Sequence, residues 1–137
     1  MASWRDELNE AVKSKAEREA EEQARIRKRV EEALATATQA LTLGQEALAF
    51  AAEKLREKGQ RPEHTPDKDM SRLKLGDQSL AVELVRDAAL VRVTFGDQKP
   101  REFDFAKDRH IAPADVEEYV GRRSLELVRN AYKATPW

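Results

Sequence analysis

Few side chains in this sequence could do chemistry. Its 137 residues include two histidines, His64 and His110, no cysteine, and serines only at positions 3, 14, 71, 79 and 124. Without cysteine there is no thiolate nucleophile, no disulfide and no sulfur ligand for a metal. None of the serines sits in the glycine-flanked turn that exposes a nucleophilic hydroxyl. No glycine-rich loop follows a strand to cradle phosphate, and Gly76 and Gly96 have the surroundings of hairpin glycines. The densest polar cluster is Asp104, Asp108, His110 and Asp115. It has atoms a divalent cation would accept but no paired-histidine or other ligand spacing, so a polar loop with helix-capping acids is expected. Tyr119 and Tyr132, near Arg122 and Arg123, read as half-buried packing residues. No catalytic residue, cofactor or metal is expected.

What the sequence offers instead is contact chemistry. Trp4, Leu8 and Val12 form a short apolar stripe at helical spacing, followed by Ala16, Ala20 and Ala24. Leu34, Leu41, Leu48 and Leu55 recur every seven residues, beside a row of small residues at Ala33, Ala37, Ala40, Gly44, Ala47 and Ala51. These seven large side chains, Trp4, Leu8, Val12 and the four leucines, are the candidate interaction residues. The small row lets a helix lie flat on the chain's own sheet or approach a second helix closely.

The elements that must carry these residues follow from pattern. Ser3 is a suitable N-cap, with Asp6 and Glu7 in the first turn. From there to about Glu57 no proline occurs and Gly44 is the one glycine, so a single helix of fifty or more residues is expected. Arg5 to Glu32 carries 17 charges in 28 residues, whereas Glu46 is the only charge between Ala33 and Ala52. The helix should therefore run wet before Val30 and sheltered after it, which divides the chain into a projecting arm, 1–30, and an α+β domain, 31–137. Opposite charges at i,i+4 spacing along 21–32 support the arm, and the basic residues Arg25, Arg27, Lys28 and Arg29 are neutralised by flanking glutamates.

Gly59 suits a helix C-cap, and the segment 58–70, with two prolines and His64, reads as an exposed linker. From Ser71 the apolar period becomes two. Four strands are expected within 71–106, alternating through Leu73 and Leu75; Leu80, Val82 and Leu84; Val91, Val93 and Phe95; and Phe103 and Phe105. Short turns between them favour an antiparallel meander, with Lys74, Glu83, Arg92, Glu102 and Asp104 paired across a wet face. Pro113 opens a last helix, 113–133, in which Gly121 suggests close packing. The fold expected is thus α+β, with a long N-terminal helix, a four-stranded antiparallel meander and a C-terminal helix in a two-layer sandwich with a projecting arm.

The 25 basic and 26 acidic residues nearly cancel, giving a net charge of -1, so neither nucleic acid nor an acidic membrane is called for. The aromatics fall on the core face, which argues further against an RNA-binding sheet. The N-terminus lacks a signal-peptide pattern and residues 33–52 are too weakly apolar to cross a bilayer, so a cytoplasmic location and no membrane contact are expected. Together these features point to a non-enzymatic interaction or assembly protein, self-associating through the long helix, with a dimer favoured and a further protein partner at the arm or sheet. The rival expectation is a small-molecule-binding domain or enzyme. Its apolar pocket would lie between helices and sheet, lined by Phe95, Phe103, Phe105 and Tyr119, with room left by Ala37, Ala40, Gly44 and Ala47.

Overall fold

A computed structural model describes residues 3–12 and 14–134. Met1, Ala2, Lys13 and 135–137, which the expected arm and domain ranges include, lie outside the described residues. In chain order the elements are α1 (Trp4–Ala11), α2 (Lys15–Glu57), β1 (Glu63–Pro66), β2 (Met70–Leu75), β3 (Gln78–Val85), β4 (Leu90–Phe95), β5 (Arg101–Asp104) and α3 (Pro113–Ala134), with a 3-10 turn at Arg86–Ala88. The class is α+β, as the sequence pattern implies.

The strands form one antiparallel sheet in the order β1-β2-β3-β4-β5. Register puts Leu73 opposite Leu80, Leu80 opposite Phe95, Val82 opposite Val93 and Val91 opposite Phe103, so these side chains share one face. That face is covered by α3 and the second half of α2, and the buried cluster takes in Leu41, Leu48, Leu55, Val116, Val120 and Leu127 from the helices. The opposite face carries the centre of the expected charge ladder, with Glu83 and Glu102 flanking Arg92 at 3.1 and 3.3 Å from its two terminal nitrogens, whereas Asp104 stands opposite Leu90 and turns its carboxylate to the following amides. The hydrogen bonds of Arg92, to Glu102 first and then to Glu83, hold the guanidinium's pKa above its ordinary value.

Gly44 lets the two layers meet. A Cβ there would stand 3.2 Å from Val82 Cγ2, a tight contact, and 3.5 Å from both Val116 and Val120, an ordinary one, so α2 crosses sheet and α3 with little room to spare. Gly121 is a correction to expectation: it is exposed and a Cβ would meet nothing within 4 Å. Close packing is not its role.

Three further expectations need correction. The long helix is interrupted near its start, not continuous: Val12 ends α1, and Ser14 takes an extended conformation, its hydroxyl accepting the Glu17 amide at 3.1 Å. Ser14 and Glu17 have the S-x-x-E spacing of a helix start, so a local cap offsets what the propensity of the flanking residues would gain by continuing. The sheet has five strands, because the supposed linker contains β1, whose Glu63–Pro66 pairs with Ser71–Lys74. His64 therefore belongs to a strand and faces the helices, while Pro62 before it is buried. Near the middle of α2 there is no break. All described residues from 15 to 29 are exposed, and shelter begins at Val30.

The end of α2 is fixed by a Schellman cap. Gly59, at φ +81, directs its amide to the Arg56 carbonyl at 3.0 Å, and the Gln60 amide reaches the Leu55 carbonyl at 2.9 Å. An Arg86–Asp69 pair, with two hydrogen bonds of 2.7 Å, then ties the start of β2 to the turn after β3. Bonding to Arg86 lowers the Asp69 pKa.

Candidate functional site: an apolar groove on the outer side of the helical layer

With one face of α2 and of α3 committed to the sheet, a second face of each meets along a groove of about 1000 Å³. Its walls are residues of α2, of α3 and Lys58; no strand residue lines it, so it opens away from the sheet. The floor on the α2 side is the row Ala47, Ala51 and Leu55, four apart, and on the α3 side Gly121 and Val128. Phe50, 62% exposed, and Leu125, 50% exposed, stand at the rims. Lys54 lies over the Phe50 ring at 5.4 Å, its alkyl stem along apolar surface and its ammonium in water. The missing side chain at Gly121 keeps the α3 wall low, an explanation for a helix-interior glycine that packing does not supply.

The expected interaction residues divide into two sets. Trp4, Leu8 and Val12 stand in solvent on α1 and its C-cap, Trp4 67% exposed. Leu41, Leu48 and Leu55 are buried in the chain's own core, and Leu34 packs half-buried against it. The heptad leucines are therefore spent on the sheet and have little side chain to offer a second helix. Groove positions such as Phe50 and Leu125 were missed from the sequence. Their signal was a second apolar face, Ala47, Phe50 and Ala51 on α2 and Leu125, Val128 and Tyr132 on α3, displaced around each helix from the first.

The polar candidates are used locally. Asp104 Oδ1 accepts the amides of Ala106 and Lys107, Asp108 accepts that of His110, and Asp115 Oδ2 accepts that of Ala112 at 2.8 Å. Each carboxylate holds a turn or the start of α3. The aromatics proposed to line an internal pocket are themselves core: Phe95, Phe103 and Phe105 are buried, and Tyr119 packs edge-on against Phe103 with centroids 5.6 Å apart.

A second, smaller cavity of about 280 Å³ lies between β1 and α2, lined by His64, Ser71, Thr42, Gln45 and the carboxylates of Glu46 and Asp67 among others. His64 Nε2 and Ser71 Oγ are buried there without a protein hydrogen-bond partner. Hydroxyl, imidazole and acid in one cavity invite comparison with a hydrolytic triad. In such a triad the acid bonds the imidazole and stabilises its cation. Here His64 Nε2 has no partner and no carboxylate is hydrogen-bonded to the imidazole among the described residues; its pKa is lowered, by burial first and by the nearby charge of Arg56 second. Gln45 Nε2 instead donates to the Asp67 carbonyl at 2.8 Å, pinning α2 to the β1–β2 turn. Among the described residues no group of three histidine or acidic side chains is placed to hold a metal ion, and no helix is long and apolar enough to cross a membrane.

No protein-family model, no curated protein and no solved structure matches this chain.

Proposed function

We propose that this chain is a non-enzymatic interaction and assembly protein that associates with itself through its helical layer. The observation that carries the reading is the distribution of exposed apolar side chains. Of the large ones exposed among the described residues, all but Met70 lie on α2, α3, or α1 and its cap: Trp4, Leu8, Val12, Ile26, Phe50 and Leu125. Scattered single residues of this kind are ordinary on any surface. Phe50 and Leu125, however, border one continuous groove, and clustering of that sort marks contact surfaces. Burying it against a second subunit is the simplest remedy, and two-fold dimers are the commonest solution. A cytoplasmic location is part of the same proposal, and the mixed-sign outer sheet face gives nucleic acid little to bind.

Sedimentation velocity over a concentration series tests the proposal. A weight-average mass rising toward twice 15.6 kDa is expected. A strict monomer at several hundred micromolar would remove self-association.

A second reading has one observation in its favour: at about 1000 Å³ the groove matches the upper range of small-molecule pockets. An apolar ligand would then be held between Phe50 and Leu125. Native mass spectrometry of freshly purified protein, finding a stoichiometric small molecule that Leu125→Glu releases, would favour it over assembly.

A further inference from the structure

We infer that the occupant of the α2–α3 groove is helix α1 of a second copy of this chain, exchanged reciprocally. This rests on the self-association proposed above and adds which surfaces meet.

Helix α1 cannot fill its own groove. The groove begins at Glu46, 31 residues beyond Lys15, on the order of 46 Å along α2 at 1.5 Å per residue. The joint 12–14 extends at most about 11 Å, and the eight residues of α1 add about 12 Å. Folded straight back, Trp4 would stop about 23 Å short. Only another molecule's α1 can arrive there.

Trp4, Leu8 and Val12 step by four along α1, and Leu55, Ala51 and Ala47 step by four along the groove floor. Run antiparallel, the bulky row of one chain lies on the small row of the other, Val12 on Ala47 and Leu8 on Ala51, and Trp4 comes to the groove end beside Lys54 and Lys58, where Leu55 is itself buried. The arrangement is isologous and closes at two subunits.

Helix α1 carries Asp6, Glu7 and Glu10 against Arg5 alone. The end of the groove that would receive its first turns carries Lys54, which also pairs with Glu57, and Lys58; the groove acids Glu46, Glu117 and Glu118 lie toward the other end, where Glu118 holds Arg122. Acid meets base where Trp4 seats, which sets the direction of docking.

The absence of cysteine makes the test direct. Leu8→Cys and Leu125→Cys chains, one of them isotopically labelled, are mixed and treated with a short bismaleimide; both positions are exposed, so folding is kept. Mixed-mass dimers joining 8 to 125 are expected, at several times the yield obtained when Leu125→Cys is replaced by Lys74→Cys on the outer sheet face. Trp4→Ala should weaken self-association roughly tenfold or more, as loss of a large aromatic anchor does. If sedimentation gives a dimer but 8 links to 74 as well as to 125, or Trp4→Ala leaves the dimer intact, the exchange is wrong and the dimer uses another surface. If sedimentation gives a monomer, both proposals fall.

Discussion

The two halves of α2 are one helix in two environments. From 15 to 29 every described residue is exposed, and the turns are held by alanine, glutamate, lysine and arginine, which need no burial to favour helix. From 37 to 55 the helix buries Ala37, Ala40, Leu41, Gly44, Leu48, Ala52 and Leu55, of which only Gly44 is a poor helix former, and the added feature is the sheet and α3 against which they pack. The first half is a helix because of its own chain; the second is positioned by what it touches. Only the first is free to serve another molecule with its whole surface. The second serves its own sheet with one face and leaves another unspent.

Mutations can sharpen or break this contrast. The largest effect belongs to the sheltered half. Leu48→Ala empties a fully buried position and should lower unfolding free energy by about 2–5 kcal/mol in urea titration. A loss under about 1 kcal/mol would mean that α2 is not seated on the sheet as described. Next come the two helical glycines, which should respond in opposite directions. Gly44→Val forces atoms into Val82, Val116 and Val120 and should cost about 1–3 kcal/mol, whereas Gly121→Ala, facing open groove, should gain about 0.5–1 kcal/mol. Equal responses in thermal melts would erase the distinction between inner and outer faces.

A smaller effect concerns pH at the edge of the sheltered region. The folded-state pKa of His64 is lowered, so its neutral form is favoured by folding. The stability this contributes is present above the unfolded value of 6.5 and is lost as pH falls from 6.5 through the folded-state pKa. Denaturation midpoints should decline over that interval in the parent and less in His64→Gln; parallel declines would assign the pH dependence elsewhere. Smallest of all is the arm. Ala24→Gly should speed amide exchange between 15 and 29 yet shift global unfolding by less than about 0.5 kcal/mol, since no tertiary contact leaves with it. A matching loss in the core would show the halves to be coupled.

Much of the architecture was legible, for particular reasons. Strict alternation at Leu80, Val82 and Leu84 and at Val91, Val93 and Phe95 could be read because one face is buried and the other wet. The same logic placed Glu83, Arg92 and Glu102 together across three strands. Strand β1 escaped because its inward residues are His64 and Pro66, neither of which registers as apolar alternation, and because its pairing is made by backbone at a sheet edge. The break at 12–14 escaped although Ser14 and Glu17 spelled a helix start, since strong formers on both sides hid it. As for the candidate site, its α1 stripe was visible as Trp4, Leu8 and Val12. The groove was not, because it depends on how α3 lies beside α2, which no local pattern records. The leucine heptad drew attention to a face that the sheet already covers.

Every strand pairs with its immediate neighbour in sequence, and that order bears on how the molecule assembles in time. Hairpins of this kind close over short loops, so the sheet can zip up while little chain entropy is lost. The helical cover is different: Gly44 meets Val116 and Val120 only after the whole sheet has been made between them. On a ribosome, a nascent chain would hold a half-covered sheet until α3, the last element, emerges. That interval is when its valine and phenylalanine face is most open to sticking, and a truncation before Pro113 would make the interval permanent.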